Sequence, residues 1–225
     1  MFLTILLASQ TTDLHAQQLF FKEPATRWIE AVPLGNGRIG AMHYGGIEED
    51  ILKLNADTLW SGPPKDGTNP EAKNILPEIR KALFEGRWNE VDTLAQKMQG
   101  PFSEAFMPLG DLIIKQQVTS PNLQTYTRTL NLSNAISTVE IPTATGGFSR
   151  EVFVSHPAKA LVVRITSQKG KDINLEVGLT TQLRSSYRIS PHYRLIMSGR
   201  GPYHSPRTVT DNKPVLFDDS PNGEG

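Results

Sequence analysis

Cysteine is missing from this chain of 225 residues. Its absence removes disulfides, thiolate nucleophiles and cysteine-based metal sites together. It leaves the cellular compartment open, because bacterial exported proteins often fold without disulfides. Net charge is missing too: 23 Lys and Arg balance 23 Asp and Glu. With no local run of basic residues either, the chain has no field to draw in nucleic acid or an anionic membrane surface. Long apolar runs are absent as well. The stretch Phe2 to Ala8 falls far below the ~20 residues that span a bilayer. The five histidines, His15, His43, His156, His192 and His204, show no H-x-x-x-H or related ligand spacing. The residues therefore call for no metal, no cofactor, no nucleic acid and no membrane.

What the chain does have is glycine in one tight cluster. "PLGNGRIGAMHYGG", Pro33 to Gly46, holds Gly35, Gly37 and Gly40 in the G-x-G-x-x-G spacing of a dinucleotide-binding turn. That turn works only where a buried strand enters and a helix leaves, so that free N–H groups meet the phosphates. Pro33 sits where a central strand would need its N–H, and Gly45 and Gly46 would interrupt any helix that began at Gly40. The context fits a β-hairpin instead, with "RIGAMHY" as one strand, "GGIEED" as the turn region and "ILKLN" as the return.

Residues 1–18 read as a signal-like or disordered N-terminus. A short apolar run is followed by polar residues and by Ala16, a small residue at a cleavage-like position, although no Lys or Arg precedes Lys22 and Leu14 is large for minus three. A periplasmic or secreted location is the expectation. Residues 19–225 read as one mainly β domain, an antiparallel β-sandwich with a short helical insertion. The insertion runs from Asn69 to Gln99, where Ile79, Leu83 and Phe84, then Trp88, Val91, Leu94, Ala95 and Met98, recur at helical spacings. Those apolar faces are expected to be core. From Leu109 onward, "LGDLIIKQQV", "TYTRTLNL", "AISTVEI", "FSREVFVS", "ALVVRIT" and "INLEVGLTTQL" are short strands divided by turn residues.

Side chains fit for catalysis are few. Glu48, Glu49 and Asp50 form an acidic run, but consecutive residues on one turn cannot flank a glycosidic bond from two sides, and such a run is expected to be a solvated tip. Asp218 and Asp219 fail in the same way. Ser155-His156 lacks the strand–turn–helix setting of a nucleophile elbow. The catalytic set is therefore empty.

The order of motifs resembles a known family. "ATRWIEAVPLGNGRIGAM", "GGIEED", "LNADTLWSG", "YTRTLNLSNA", "SREVFVSHPAKALVVRI" and "GRGP" look like the opening of the glycoside hydrolase family 95 enzymes, the α-L-fucosidases of the α-1,2 type. The likeness runs from about Phe20 through nearly the whole chain. It implies an N-terminal β-sandwich domain, incomplete at its C-terminal end, that partners a catalytic (α/α)6 barrel acting on fucosylated glycans with inversion. The family's catalytic residues belong to that barrel, so none is carried over here. A stand-alone sugar-binding or vestigial β module without activity is the alternative. The resemblance also implies that the sandwich leaves an unpaired edge near Val215 to Phe217.

The glycine loop then has two readings. It is a tight turn packed on a neighbouring domain, or it reaches the mouth of the barrel. In the second case Asn36 and Arg38 offer an amide and a guanidinium to sugar hydroxyls or to a carboxylate of the catalytic domain.

Overall fold

The computed structural model describes residues 17–170, 172–205 and 215–218. Nearly all of the signal-like stretch, with His15, and Asp219 lie outside the described residues. The chain forms two compact units. One comprises the chain up to Thr58 with Pro108–Leu183 and Tyr187–Met197; the other comprises Leu59–Met107, Arg184–Ser186 and the chain from Ser198 on.

The first unit is an antiparallel β-sandwich of two five-stranded sheets. One sheet runs in the order β1 (Gln18–Phe21), β6 (Thr127–Asn131), β7 (Ile136–Thr143), β8 (Gly146–Ser155), β9 (Ala160–Ser167). The other runs β10 (Leu175–Thr180), β5 (Gly110–Gln116), β4 (Glu49–Ala56), β3 (Ile39–His43), β2 (Val32–Gly35). A separate pair, β11 (Arg184–Ser190) and β12 (Arg194–Arg200), makes a two-stranded sheet. The expected "RIGAMHY" hairpin is β3 and β4, with Ile39 opposite Ala56 and His43 opposite Leu52.

Alternation builds the core. Val32 and Leu34 on β2, Leu52 on β4 and Ile114 on β5 meet Leu130 on β6 and Val152 on β8 across the two sheets. Each such aliphatic side chain contributes about 1.5–3 kcal/mol when buried. A second cluster joins Val118, Tyr126, Val139, Ile141 and Phe148. The same inward phase carries polar residues: Arg128 precedes Leu130 by two, Ser137 precedes Val139, Arg150 precedes Val152 and Asp50 precedes Leu52, and all four are buried. A period of two puts them inside whatever their polarity.

The second unit contains the helical insertion, α1 (Ala72–Phe84) and α2 (Trp88–Met98), which pack on each other. Asn69 opens α1: its side-chain oxygen accepts from the Glu71 N–H at 3.0 Å. Gly86, at φ +72°, closes it. Its N–H donates to the Leu83 carbonyl and that of Arg87 to the Ala82 carbonyl, at 3.2 and 2.9 Å, the paired bonds of a Schellman end. The helices lie where their period placed them, but their faces are not the expected core. Only Ile79 and Ala82 on α1 are buried, and no residue of α2 is. Phe84 is 91% exposed and Trp88 65%, because a two-helix layer gives each helix one neighbour and leaves the ends of both apolar stripes uncovered. The segment expected as an edge, Val215 to Phe217, is bonded along one side through an isolated bridge between His204 and Leu216. The Leu216 N–H donates to the His204 carbonyl at 3.0 Å, and that of Tyr203 to the Leu216 carbonyl at 2.9 Å.

Candidate functional site

The glycine loop is the three-residue turn between β2 and β3. Asn36 is built into it: its Oδ1 accepts from the N–H groups of Arg38 at 3.0 Å and Ile39 at 2.9 Å, and its backbone N–H donates to the Ile39 carbonyl at 3.1 Å. Gly37 takes φ +88°, a left-handed conformation that a side chain resists. Asn36 Nδ2 reaches away to the Ser155 carbonyl, 3.0 Å, tying the turn to the end of β8. Both ends of the amide are thus engaged. The Arg38 side chain is exposed.

Behind this turn, the interior of the sandwich holds a polar network. Asp50, expected in a solvated tip, is fully buried, while Glu48 and Glu49 beside it are exposed. The run straddles the start of β4, so the alternation turns its third residue inward. One Asp50 oxygen accepts from the N–H groups of Gly45 and Gly46 at 2.8 and 2.9 Å. The other meets His43 Nε2 at 2.8 Å and Arg150 Nη1 at 2.7 Å. His43 Nδ1 in turn lies 2.9 Å from Ser137 Oγ. Burial opposes charge on Asp50, but the hydrogen bond and charge of His43, the Arg150 guanidinium and the Gly46 N–H outweigh it and hold the carboxyl below its ordinary range.

Ser137, His43 and Asp50 have the connectivity of a hydrolase triad, yet every one is fully buried. A nucleophile needs a substrate within about 3–3.5 Å, so this chain of hydrogen bonds is a strut of the core. Arg150 extends it, donating from Nη1 to the Gly46 carbonyl at 2.8 Å and from Nη2 to Gln116 Oε1 at 2.9 Å. Tyr126 donates to the Gly45 carbonyl at 2.6 Å, and burial raises its phenol. Arg128 stacks over Phe21 at 4.3 Å and donates to the Glu30 carbonyl at 3.0 Å. Gly45 is a glycine for two reasons: φ is +72°, and a Cβ there would lie 2.4 Å from Arg128 Cδ.

The second unit has its own buried carboxylate, which the sequence reading passed over. Glu104 accepts from Ser61 Oγ at 3.1 Å and the Ser205 N–H at 3.1 Å, meets His204 Nδ1 at 3.2 Å, and pairs with the Lys65 ammonium. Burial pushes its carboxyl up, but the Lys65 ammonium leads the partners that bring it down to about 2. Glu104 itself sits at φ +76°, an unusual conformation for a residue with a side chain and a sign of a constrained segment. The segment is a short ladder in which the Ser61 N–H donates to the Ala105 carbonyl and that of Met107 to the Leu59 carbonyl, both at 2.9 Å. No signal in "SEAFMP" distinguishes this glutamate from a surface one, since its partners arrive from positions 61, 65 and 204.

Among the described residues no group of three or more His, Asp or Glu is placed to hold a metal ion. No helix among them is long and apolar enough to cross a membrane.

The sequence pattern of the family described as "Glycosyl hydrolase family 65, N-terminal domain" matches residues 19–225. Similar proteins carry fucosidase names. "Alpha-L-fucosidase 2" of Arabidopsis thaliana is 31% identical over 182 residues, 80% of this chain and 22% of that protein. "Probable alpha-fucosidase A" of Aspergillus niger is 33% identical over 162 residues, 69% of this chain and 20% of that protein. The protein of the same name from Aspergillus oryzae is 31% identical over 145 residues, 61% of this chain and 20% of its own length. The chain thus spans about a fifth of the length of these relatives.

Proposed function

We propose, since the chain belongs to the glycosyl hydrolase family 65 N-terminal domain family, that it is the non-catalytic N-terminal portion of an α-L-fucosidase of the family 95 type. The observation that carries this reading is the burial of the candidate catalytic groups. Among the described residues, Ser137, His43 and Asp50 are fully buried, and the acidic run that ends in Asp50 divides between solvent and core. Hydrolysis then belongs to polypeptide outside the matched fifth of the relatives' length, in a helical barrel that removes terminal fucose with inversion. The β-sandwich supports that barrel, and Arg38, presented by the Asn36 turn, meets substrate or a barrel carboxylate. The protein acts in the periplasm or outside the cell.

The test compares two proteins. Purified 1–225 incubated with 2′-fucosyllactose is expected to release no fucose above a buffer control. A full-length enzyme built on this sequence is expected to release it, with the inverted anomer appearing first by proton NMR. Fucose release by 1–225 in proportion to protein would place the chemistry in this chain and overturn the reading. So would a full-length protein inactive on every fucoside offered.

A further inference from the structure

The short ladder of the second unit carries an edge-to-face aromatic pair. Trp60 and Phe106 are directly opposed across it as an antiparallel pair, with ring centroids 5.3 Å apart and planes at 69°. The rings are held rather than free, because the Ser61 and Met107 backbone bonds close the ladder on either side of them. Strand alternation turns Ser61 to the opposite face from Trp60. There its hydroxyl donates to the buried Glu104 carboxylate and accepts from the Ala105 N–H at 3.0 Å. The polar cluster of Glu104, Lys65 and His204 therefore braces the ladder from behind. Yet Trp60 remains 47% exposed and Phe106 41%. A folded protein gains by covering aromatic rings, so a rigidly held, half-exposed pair marks a contact surface.

We propose that the Trp60–Phe106 pair is a stacking platform for the fucosyl end of a glycan. The inference rests on the reading of this chain as part of a fucosidase and adds the residues that touch the sugar. A pyranose has an apolar C–H face and a polar rim, and its polarised C–H groups meet the negative face of an indole favourably. Fucose is a 6-deoxy sugar, so its C5 substituent is a methyl group rather than a hydroxymethyl, which enlarges the apolar side. That chemistry suits the exposed part of an edge-to-face aromatic pair. It does not suit an anionic ligand, because the nearby Lys65 ammonium is already paired with Glu104. Ordering the rings before the ligand arrives reduces the entropy lost on binding, and the bond between the Ser61 hydroxyl and Glu104 provides that ordering.

Saturation-transfer NMR on the 225-residue chain tests this with 2′-fucosyllactose and, as the comparison lacking fucose, lactose. The fucose methyl protons are expected to receive the strongest transfer, with lactose near background. Trp60→Ala and Phe106→Ala are each expected to weaken binding by ~fivefold or more. Trp60→Phe, which keeps a smaller ring, should fall between, and Trp88→Ala should change nothing. Circular dichroism confirms that each variant is folded. Equal transfer from wild type and a folded Trp60→Ala, no transfer to wild type, or equal response to lactose would each overturn the platform. A Trp60→Ala change that alters self-association but not sugar binding overturns it in favour of a protein contact. Fucose release by the full-length enzyme, run alongside, separates the two claims. Turnover without binding by 1–225 removes the platform alone, whereas binding through Trp60 without turnover leaves the platform standing and removes the fucosidase reading.

Discussion

At the scale of single residues, two buried carboxylates decide how the fold responds to acid. Asp50 has both oxygens filled by Gly45, Gly46, His43 and Arg150, and Glu104 is gathered by Lys65, His204, Ser61 and Ser205. Both folded-state carboxyls lie below their ordinary values, Glu104 at about 2 against 4.5. A depressed carboxyl stabilises the fold above its unfolded value and loses that contribution as pH falls through the folded one. Acid unfolding is therefore expected to set in below about pH 4.5 and to continue toward about pH 2, the window set by Glu104. Asp50→Asn removes a buried ion-pair partner and leaves the Arg150 charge unmatched, so it should destabilise by about 3–5 kcal/mol. Ser137→Ala removes only a hydroxyl contact to His43, and about 1 kcal/mol is expected. Urea melts at pH 7 and pH 4 read both. If Ser137 were a nucleophile rather than a strut, its alanine variant would abolish turnover in the full-length enzyme while barely moving the melt, and the description of the buried triad would be wrong.

At the scale of elements, the β2–β3 turn shows what the sequence could and could not tell. Strands β3 to β10 lie where alternation and turn residues put them, and α1 and α2 where a period of 3.6 put them. These signals are local, and that is why they could be read. The phase of β4 was equally present, since Asp50 is two residues from Leu52, but the charge of the EED run outweighed the period and suggested a solvated tip. The partners of Asp50 come from positions 43, 45, 46 and 150, and those of Glu104 from 61, 65, 204 and 205, and no short window of sequence contains either full set. The Asn36-Gly37-Arg38 turn itself follows from residue chemistry: an Asn that bonds its own turn and a glycine at positive φ. The turn spends Asn36 on its own geometry and displays Arg38. In a full-length enzyme, Arg38→Ala is expected to lower kcat/KM at least ~tenfold, about 1.4 kcal/mol of transition-state stabilisation, with an unchanged melting temperature because the side chain is exposed. Unchanged kinetics with a lowered melting temperature would make the turn structural only. Asn36→Ala should do the reverse of Arg38→Ala in the first instance, loosening the turn and lowering the melting temperature through the lost bonds to Arg38, Ile39 and Ser155.

At the scale of the molecule, the sandwich of the first unit is unevenly closed. β9 ends one sheet and β10 ends the other, and the two sheets part there around an apolar cleft of about 430 Å³. Leu112 and Ile114 of β5 line it with Val163 and Ile165 of β9 and Leu175 and Val177 of β10. Leu175 is 44% exposed and Val177 52%, so the outermost strand offers water the side chains that an interior would bury. A strand edge adjoining exposed aliphatics is a template for pairing with another chain. This hazard at β9 and β10 adds to the one expected at Val215 to Phe217, which is bonded to Tyr203 and His204 along one side. The 225-residue chain is accordingly expected to self-associate as its concentration rises. Val177→Lys should suppress this: a charge on an edge strand opposes pairing, and from a half-exposed site the lysine stem can cover the cleft while its ammonium stays in water. The melting temperature of the dilute monomer should move little, because a half-exposed valine contributes only part of the ~1.5–3 kcal/mol of full burial. Light scattering across a concentration series, wild type against variant, is the measurement. A wild type that stays monodisperse, or a variant that associates as readily, would show that this edge is already protected in the chain as it stands.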